Sequence, residues 1–428
     1  MQSKTASKAV RRVTMMSQVI DLKAARQEPD TFRAALARRG AADDFDALLA
    51  VDATWRELTE RVDQLRSQNK PKGTPTPEQI EHLKQVKEQL KEAEERLTAA
   101  AEQRQYLLDR LPNLPHPTAP DGGEDEGEIV RTWGEIPTFS FTPKDHLELE
   151  SRSGWVDMKR GARLSGARFA YRVGDVALAE TALYRFVLDH VISKGFTYLL
   201  PPVLVNERAM YGTGYLPNEE SNLYRLDKDE LYLSGTSEVA LGGFHMDERL
   251  EESELPARYT AFSTNFRREA GSAGKDTRGM FRVHQFDKVE MFVFCLPEDS
   301  ARIHNEILAI EEEIVQALGL PYQVVNIAVG DLGNPAAKKY DIEAWFPAQQ
   351  RYREVTSCSN TTDYQARRLN TRVKRGHGSE FLHTVNGTGI TARALLAVIE
   401  NFQDEHGVVA VPKVLQKYGA PATLGRTS

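Results

Sequence analysis

The residues whose types and spacing could do chemistry cluster between Phe266 and Phe292, in the stretch FRREAGSAGKDTRGMFRVHQFDKVEMF. Phe266-Arg267-Arg268-Glu269 closes an apolar run, and a charged, glycine-rich segment follows (Gly271, Gly274, Lys275, Asp276, Arg278, Gly279). Arg282 to Phe292 then alternates apolar and polar residues, the pattern of a half-buried strand. Two antiparallel strands joined by a long polar loop are expected. On a strand, Arg267 and Glu269 share a face because they are two apart; Phe286 and Glu290 share a face of the second strand. An arginine, two carboxylates and an aromatic ring on one sheet surface suit a phosphate, an amine and a base, and the guanidinium fork matches phosphate with paired charge-assisted bonds. The same residues also fit an exposed hairpin face carrying ion pairs.

Three further constellations carry polar groups in short range. Leu233-Ser234-Gly235-Thr236-Ser237-Glu238 offers a hydroxyl and a carboxylate; taken alone, such a triplet also caps helices. In Arg353-Glu354-Val355-Thr356-Ser357-Cys358, Glu354 and Ser357 are hard oxygen donors of the kind Mg²⁺ uses beside nucleotide phosphates, and equally a polar strand end. Asn386-Gly387-Thr388-Gly389-Ile390-Thr391-Ala392-Arg393 leads into the helical Ala394 to Asn401.

Phe-Arg-x-Glu, a loop, then Arg-x-His-Gln-Phe-x-Lys-x-Glu resembles motif 2 of class II aminoacyl-tRNA synthetases, and EAGSAGKDTRGMFRVHQFDKVE is similar to seryl-tRNA synthetases of bacterial type. Pro202 falls where motif 1 has its proline, and the strand, Arg393 and helix at the C-terminal end resemble motif 3. The resemblance runs from Met16 to about Gly419. It implies an α+β fold, an antiparallel sheet of six to seven strands flanked by helices. It implies ATP-dependent activation of L-serine to seryl-adenylate and transfer to tRNA(Ser), and to tRNA(Sec), with Mg²⁺, by a cytoplasmic homodimer. Carried over by position, the catalytic arginines are Arg267 at the α-phosphate and Arg393 at the γ-phosphate. Serine falls to Thr236, Ser237, Glu238, Glu290, Asn386 and Thr388. ATP falls to Arg267, Arg268, Glu269 at the adenine amine, Val283, Phe286 under the ring, Glu354, Val355, Thr356, Ser357 and Arg393, with Glu354 and Ser357 holding the metal. A polar pocket suits serine, since a site built to bond a hydroxyl rejects alanine. Two other classes share parts of the pattern. A ligase charging a carrier protein lacks the helical hairpin described next; a catalytically dead paralogue loses motif arginines or glutamates, and here none is lost.

The elements that must position these groups are legible around them. The chain has 428 residues, 40% hydrophobic and 27% charged, room for two or three domains. No apolar run approaches ~20 residues, so no membrane span is expected. Cys295 and Cys358 have no paired spacing, which excludes a disulfide scaffold and a cysteine zinc site and fits a reducing cytosol. At net charge −7, nucleic acid must be met by a local basic patch. Residues 1–15 read as a disordered basic extension, or as translation from an upstream start codon. Residues 16–114 read as a helical domain: a cap with Asp30 as N-cap, then heptad arms. One arm carries Trp55, Leu58, Val62 and Leu65. The other carries Leu83, Leu90 and Leu97 at one position and Val86, Ala93, Ala100 and Leu107 at the next. Asn69 to Pro77 breaks them into an antiparallel hairpin. From Arg61 to Lys91 seven basic residues face four acidic ones, so the tip is cationic. That fits either a solvated coiled coil or an arm gripping a phosphate backbone; the resemblance implies the long variable arm of tRNA. Residues 115–128 read as a Pro/Gly/acid linker, and 129–428 as the catalytic domain, with a helix at Val176–Ser193 and one apolar strand at Phe196–Leu204.

Overall fold

The computed structural model describes residues 20–70, 76–270 and 279–425, and the chain divides into two compact units between Leu114 and Pro115. The 1–15 extension, the middle of the hairpin breaker and most of the glycine-rich loop lie outside the described residues. Among the described residues no helix is long and apolar enough to cross a membrane.

The first unit is helical: α1 (Leu22–Gln27), α2 (Pro29–Ala37), α3 (Ala42–Gln68) and α4 (Pro77–Arg110). Asp21 caps α1. Asp30 is not an N-cap: Pro29, which needs no amide donor, starts α2, and Asp30 follows in its first turn. Cap and first arm are not separate either, since α3 runs through Trp55 without a break. Thr76 and Gln79 close a reciprocal capping box at the start of α4. Val62 and Leu65 pack on Val86 and Ala93, with Leu90 and Leu97 partly buried beside them. At the base the seam shifts by one residue, burying Leu108 where Leu107 was expected. A helix of 3.6 residues per turn drifts about 20° per heptad, and the step of eight from Ala100 to Leu108 offsets that drift. Below the seam the carboxylate of Asp52 is buried between Arg26 (2.7 and 2.8 Å) and Arg104 (2.7 Å). Burial alone would raise its pKa; the two guanidiniums outweigh that and hold it below the ordinary range.

In the second unit an eight-stranded sheet carries the site. Its strands are β1 (Glu128–Trp133), β2 (Thr197–Leu199), β3 (Ala257–Phe266), β4 (Gln285–Cys295), β5 (Tyr322–Asn326), β6 (Lys338–Phe346), β7 (Arg351–Thr362) and β8 (His383–Thr391). The order is β1-β5-β6-β7-β8-β4-β3-β2, and every neighbouring pair is antiparallel except β2 with β3. Helices α5 (Asp175–Ser193), α7 (Ser300–Leu318) and α8 (Arg393–Asn401) contribute Val187, Ile307 and Val398 to a core with Val289, Val385 and Ile342 of the sheet; α6 (Glu238–Gly242) packs elsewhere, against β3 and β4.

Two expectations change. The apolar run from Phe196 is not one strand. Pro201 and Pro202 offer no amide donors, so β2 stops at Leu199, and Leu204–Asn206 pairs in a separate small sheet with Leu231–Leu233. Residues 115–127 are not a loose spacer: His116 N donates to the Ala337 carbonyl, Asn326 donates to the Thr118 carbonyl at 2.9 Å, and Ala119 is buried with Val325 and Ile327. This segment leads into β1. Together β1 and β2 carry the sheet to eight strands rather than six or seven.

Candidate active site

The site occupies one face of β4, β6, β7 and β8, with the segment that follows β3, around a cavity of ≈ 510 Å³. Strand β4 turns Phe286, Lys288 and Glu290 into it, spaced by two as a regular strand requires. On β7 the spacing is different. Glu354 and Ser357 are three apart and would face opposite ways on a regular strand. They share the cavity because Val355 is an extra residue: Glu354 pairs with Glu343, and Thr356 with Ile342. A second bulge at Gly389, where Glu290 pairs with Thr388 and Val289 with Ile390, keeps Asn386, Thr388 and Thr391 together on the cavity wall.

The residues expected at phosphate and base gather at one end. Arg267 and Glu269 lie past the end of β3 rather than on it. Arg267 stays aligned through its amide, which donates to the His284 carbonyl at 3.0 Å, and its Nε donates to the Gly235 carbonyl at 3.1 Å. Its guanidinium stands 5.3 Å from the Phe286 ring centroid. Glu269 sits in the left-handed region (φ 52°) and accepts from Arg282 at 3.1 Å. Val283 and Val355 line the cavity. Arg393 donates to Glu354 at 3.1 Å. The Glu354 side chain is 46% exposed despite its depth, because it faces the open cavity. Burial opposes its charge, but Arg393 and Lys339 outweigh it and hold its carboxyl below the ordinary range. Two residues are not brought in. Arg268 stacks on Tyr224 (4.6 Å) and donates to the Leu223 carbonyl at 2.8 Å. Thr356, beyond the bulge, turns into the core toward Glu311.

At the other end the polar groups interlock. Thr236 is fully buried; its hydroxyl donates to Glu290 at 3.1 Å and accepts from the Glu238 amide at 3.2 Å. Glu290 is also ion-paired with Lys288. Burial pushes the Glu290 carboxyl up to about 7; Lys288 works against that, and Glu238 adds to it. Glu238 accepts from Asn386 at 2.5 Å, from Gln365 at 2.8 Å and from the Tyr215 hydroxyl at 2.9 Å. Thr388 lines the cavity beside them, while Ser237 is buried and turned out of it. Sequence reasoning missed Tyr215, Gln365 and the pairing of Lys288. Tyr215 follows Tyr211-Gly212-Thr213-Gly214 at a distance in sequence that gives no hint of Glu238. Gln365 sits in a short helix, Tyr364–Leu369, with no chemical pattern around it that points to Glu238.

Among the described residues no group of three or more His, Cys, Asp or Glu side chains could hold a metal alone. Glu354 and Ser357 offer two hard oxygens, and Asp341, opposite Ser357, keeps one buried carboxylate oxygen without a partner. That donor set fits a Mg²⁺ ion whose remaining ligands are phosphate oxygens and water.

Both units match known families. Residues 19–115 match the family described as "Seryl-tRNA synthetase N-terminal domain", and residues 222–402 match "tRNA synthetase class II core domain (G, H, P, S and T)". A Serine--tRNA ligase of Corynebacterium glutamicum is 44% identical over 94% of this chain and 97% of its own length. One from Streptomyces coelicolor is 45% identical with the same coverage. The crystal structure of seryl-tRNA synthetase from Pyrococcus horikoshii complexed with ATP superposes with a TM-score of 0.89 at 37% identity, over 96% of this chain and 100% of that one. Sequence, fold and site thus converge, and the chain belongs to the seryl-tRNA synthetase family of class II aminoacyl-tRNA synthetases.

Proposed function

We infer that the chain is a serine–tRNA ligase: it joins L-serine to AMP at the expense of ATP, then passes the seryl group to tRNA(Ser). The observation that carries this reading is the arrangement along β4, with an aromatic platform at Phe286 and a buried polar pocket at Glu290 on one strand face. The span from Phe286 to Glu290 is four residues, about 13 Å, which suits an amino-acyl adenylate laid along the strand. The adenine stacks on Phe286, with its amine toward Glu269. Arg267 meets the α-phosphate and the serine carboxylate. The serine ammonium meets Glu238, and its hydroxyl meets Glu290 and Thr388.

In the first step a serine carboxylate oxygen attacks the α-phosphorus, and the bond to the β-phosphate oxygen breaks, releasing pyrophosphate. Arg267 holds nucleophile and phosphorus together, and Arg393 binds the γ-phosphate so that the leaving group departs in line; positioning and charge stabilisation supply most of the acceleration. Glu354 and Ser357 would hold a Mg²⁺ ion, which would supply neutralisation of phosphate charge. In the second step a hydroxyl of the terminal tRNA ribose attacks the adenylate carbonyl, and AMP leaves.

The partners follow the same reading. The helical hairpin grips the tRNA backbone with Arg61, Arg66, Lys84, Lys87 and Lys91, all on its exposed surface. On the same reading, a tRNA(Sec) whose variable arm reaches the hairpin is a second substrate. A homodimer forms along the β2 edge, where Leu200 is 79% exposed and Tyr198 and Leu204 lie open beside it. The work is done in the cytoplasm. Amino-acid-dependent ATP–pyrophosphate exchange tests the assignment: serine alone should support it, and equal exchange with alanine or glycine would overturn it.

A further inference from the structure

Glu238 is tied to the sheet by a short run of hydrogen bonds that passes through Gln365. Thr361 donates to the Thr384 carbonyl at 2.8 Å, and the Thr384 hydroxyl donates to Gln365 Oε1 at 2.8 Å. The amide nitrogen of Gln365 therefore faces the other way, donating to Glu238 Oε1 at 2.8 Å and to the Thr213 carbonyl at 3.2 Å. A carboxylate and a carbonyl can only accept, so no flipped amide satisfies this surrounding. Gln365 is fully buried.

We propose that Gln365 is a positioning residue for the amino-acid substrate: it holds Glu238 as an acceptor aimed at the substrate ammonium, and so sets serine affinity without acting on ATP. The inference rests on the reading that Glu238 takes the ammonium. Three donors meet Glu238: Gln365 and Asn386 on Oε1, and Tyr215 on Oε2. Oε2, with one partner, keeps room to accept from an ammonium. Tyr215 and Asn386 line the cavity and can touch substrate themselves. Gln365 is the one of the three that does not, so its effect must pass through Glu238.

The test compares Gln365→Met, Gln365→Glu and Glu238→Gln with the parent in serine-dependent pyrophosphate exchange. It also measures inhibition by 3-hydroxypropanoate, which is serine without its amino group. Gln365→Met should raise KM for serine tenfold or more, leave KM for ATP within twofold, and leave inhibition by 3-hydroxypropanoate within twofold. Gln365→Glu sets two carboxylates face to face, but once protonated it donates as the amide does. Its serine KM, taken as a ratio to the parental value at each pH, should therefore recover on acidification. The ratio cancels the other ionisable and charged groups facing this cluster, Tyr215, Glu290, Lys288 and Arg267. A parental serine KM in Gln365→Met overturns the inference, as does an equal rise in both KM values. A pH-independent ratio in Gln365→Glu overturns it too, and decides the matter if the methionine variant does not fold. If Glu238→Gln keeps the parental serine KM, the ammonium assignment itself fails and the inference with it; if Glu238→Gln loses serine while Gln365→Met does not, only the inference falls.

Discussion

Replacing Lys288 with methionine should move the pH at which the enzyme engages serine. Glu290 is buried at the cavity wall, and that burial pushes its carboxyl up to about 7 even with Lys288 in contact. If the ionised form is the one that accepts from serine, kcat/KM for serine should rise with pH through about 7 in the parent. An opposite charge in contact typically lowers a carboxyl pKa by about 1–3 units. Losing Lys288 should thus carry the rise to about pH 8 or beyond. At pH 7 the ionised fraction falls from about one half to about one tenth for a shift of one unit, and to about one hundredth for two. The expected loss in kcat/KM is about fivefold to fiftyfold, recovered as the pH is raised. The assay is serine-dependent pyrophosphate exchange from about pH 6 to about pH 9.5, run beside Glu290→Gln, which should keep ATP's own ionisation and lose this limb. A Lys288→Met profile that rises at the parental pH would refute the reasoning, because Lys288 would not then be what keeps Glu290 charged.

Stability follows the opposite sense. The Glu290 carboxyl is raised from its ordinary 4.5 to about 7 on folding, so the folded chain holds an extra proton between those values. Its contribution to stability is full below about pH 4.5 and is lost as the pH climbs through about 7, a change on the order of 3 kcal/mol. In Glu290→Gln the fall in melting temperature across that window should be smaller, which thermal unfolding at matched pH values checks.

Three other outcomes are expected. Arg393→Ala should abolish adenylation yet keep the parental melting temperature within a few degrees, because its side chain faces the cavity; unfolding or aggregation seen by size exclusion would make it structural. Gly387→Ala should lower the melting temperature by several degrees, since a Cβ there would stand 2.4 Å from Ile307 and 2.7 Å from Glu311, and overpacking of this kind costs about 1–3 kcal/mol. Replacing residues 61–95 with a Gly/Ser turn keeps the Asp52 clamp and should leave pyrophosphate exchange within twofold, while tRNA charging falls more than tenfold and loses its steep salt dependence; parental charging would return the hairpin to a structural role.

What the sequence made legible was type and order. Period-two alternation from Arg282 to Phe292 announced β4, and the heptads announced the hairpin, because both reflect burial on one face of a regular element. What it hid was where regularity breaks. Val355 and Gly389 are the extra residues of two bulges: the valine reads as an ordinary strand residue, while Gly389 carries a bulge signal that it shares with Gly387 two residues earlier, so the sequence does not say which of them is extra. The double proline was visible, yet whether it sits at an edge or splits a strand depends on which sheet the two halves join. Gln365 was hidden for a different reason. Its partners come from residues 213, 238, 361 and 384, and a network closed over that span has no local pattern.

The bulges also explain how one rigid sheet face presents ligands of different kinds. On a strand of strict alternation, groups three apart never share a face, so Glu354 and Ser357 could not both reach the cavity. One inserted residue turns the strand, keeps Glu354 beside Arg393, and sends Thr356 inward to the buried Glu311. On the proposed reading, the same device on β8 lets Asn386 and Thr388 serve the amino-acid end, while Thr391 and Arg393 reach the phosphate end. Each bulge forfeits ladder pairing at its extra residue, and the sheet tolerates this because its other face is anchored by the core of α5, α7 and α8. Deleting Val355 should therefore spare the pair. It removes the unpaired residue, brings Glu354 and Ser357 to a spacing of two, and so keeps both on the cavity face beside Arg393. The deletion should keep a cooperative unfolding transition and serine-dependent exchange well above background. Exchange at background in a folded protein would mean that a shared face is not enough, and that the bend of the bulge itself aims Glu354 and Ser357.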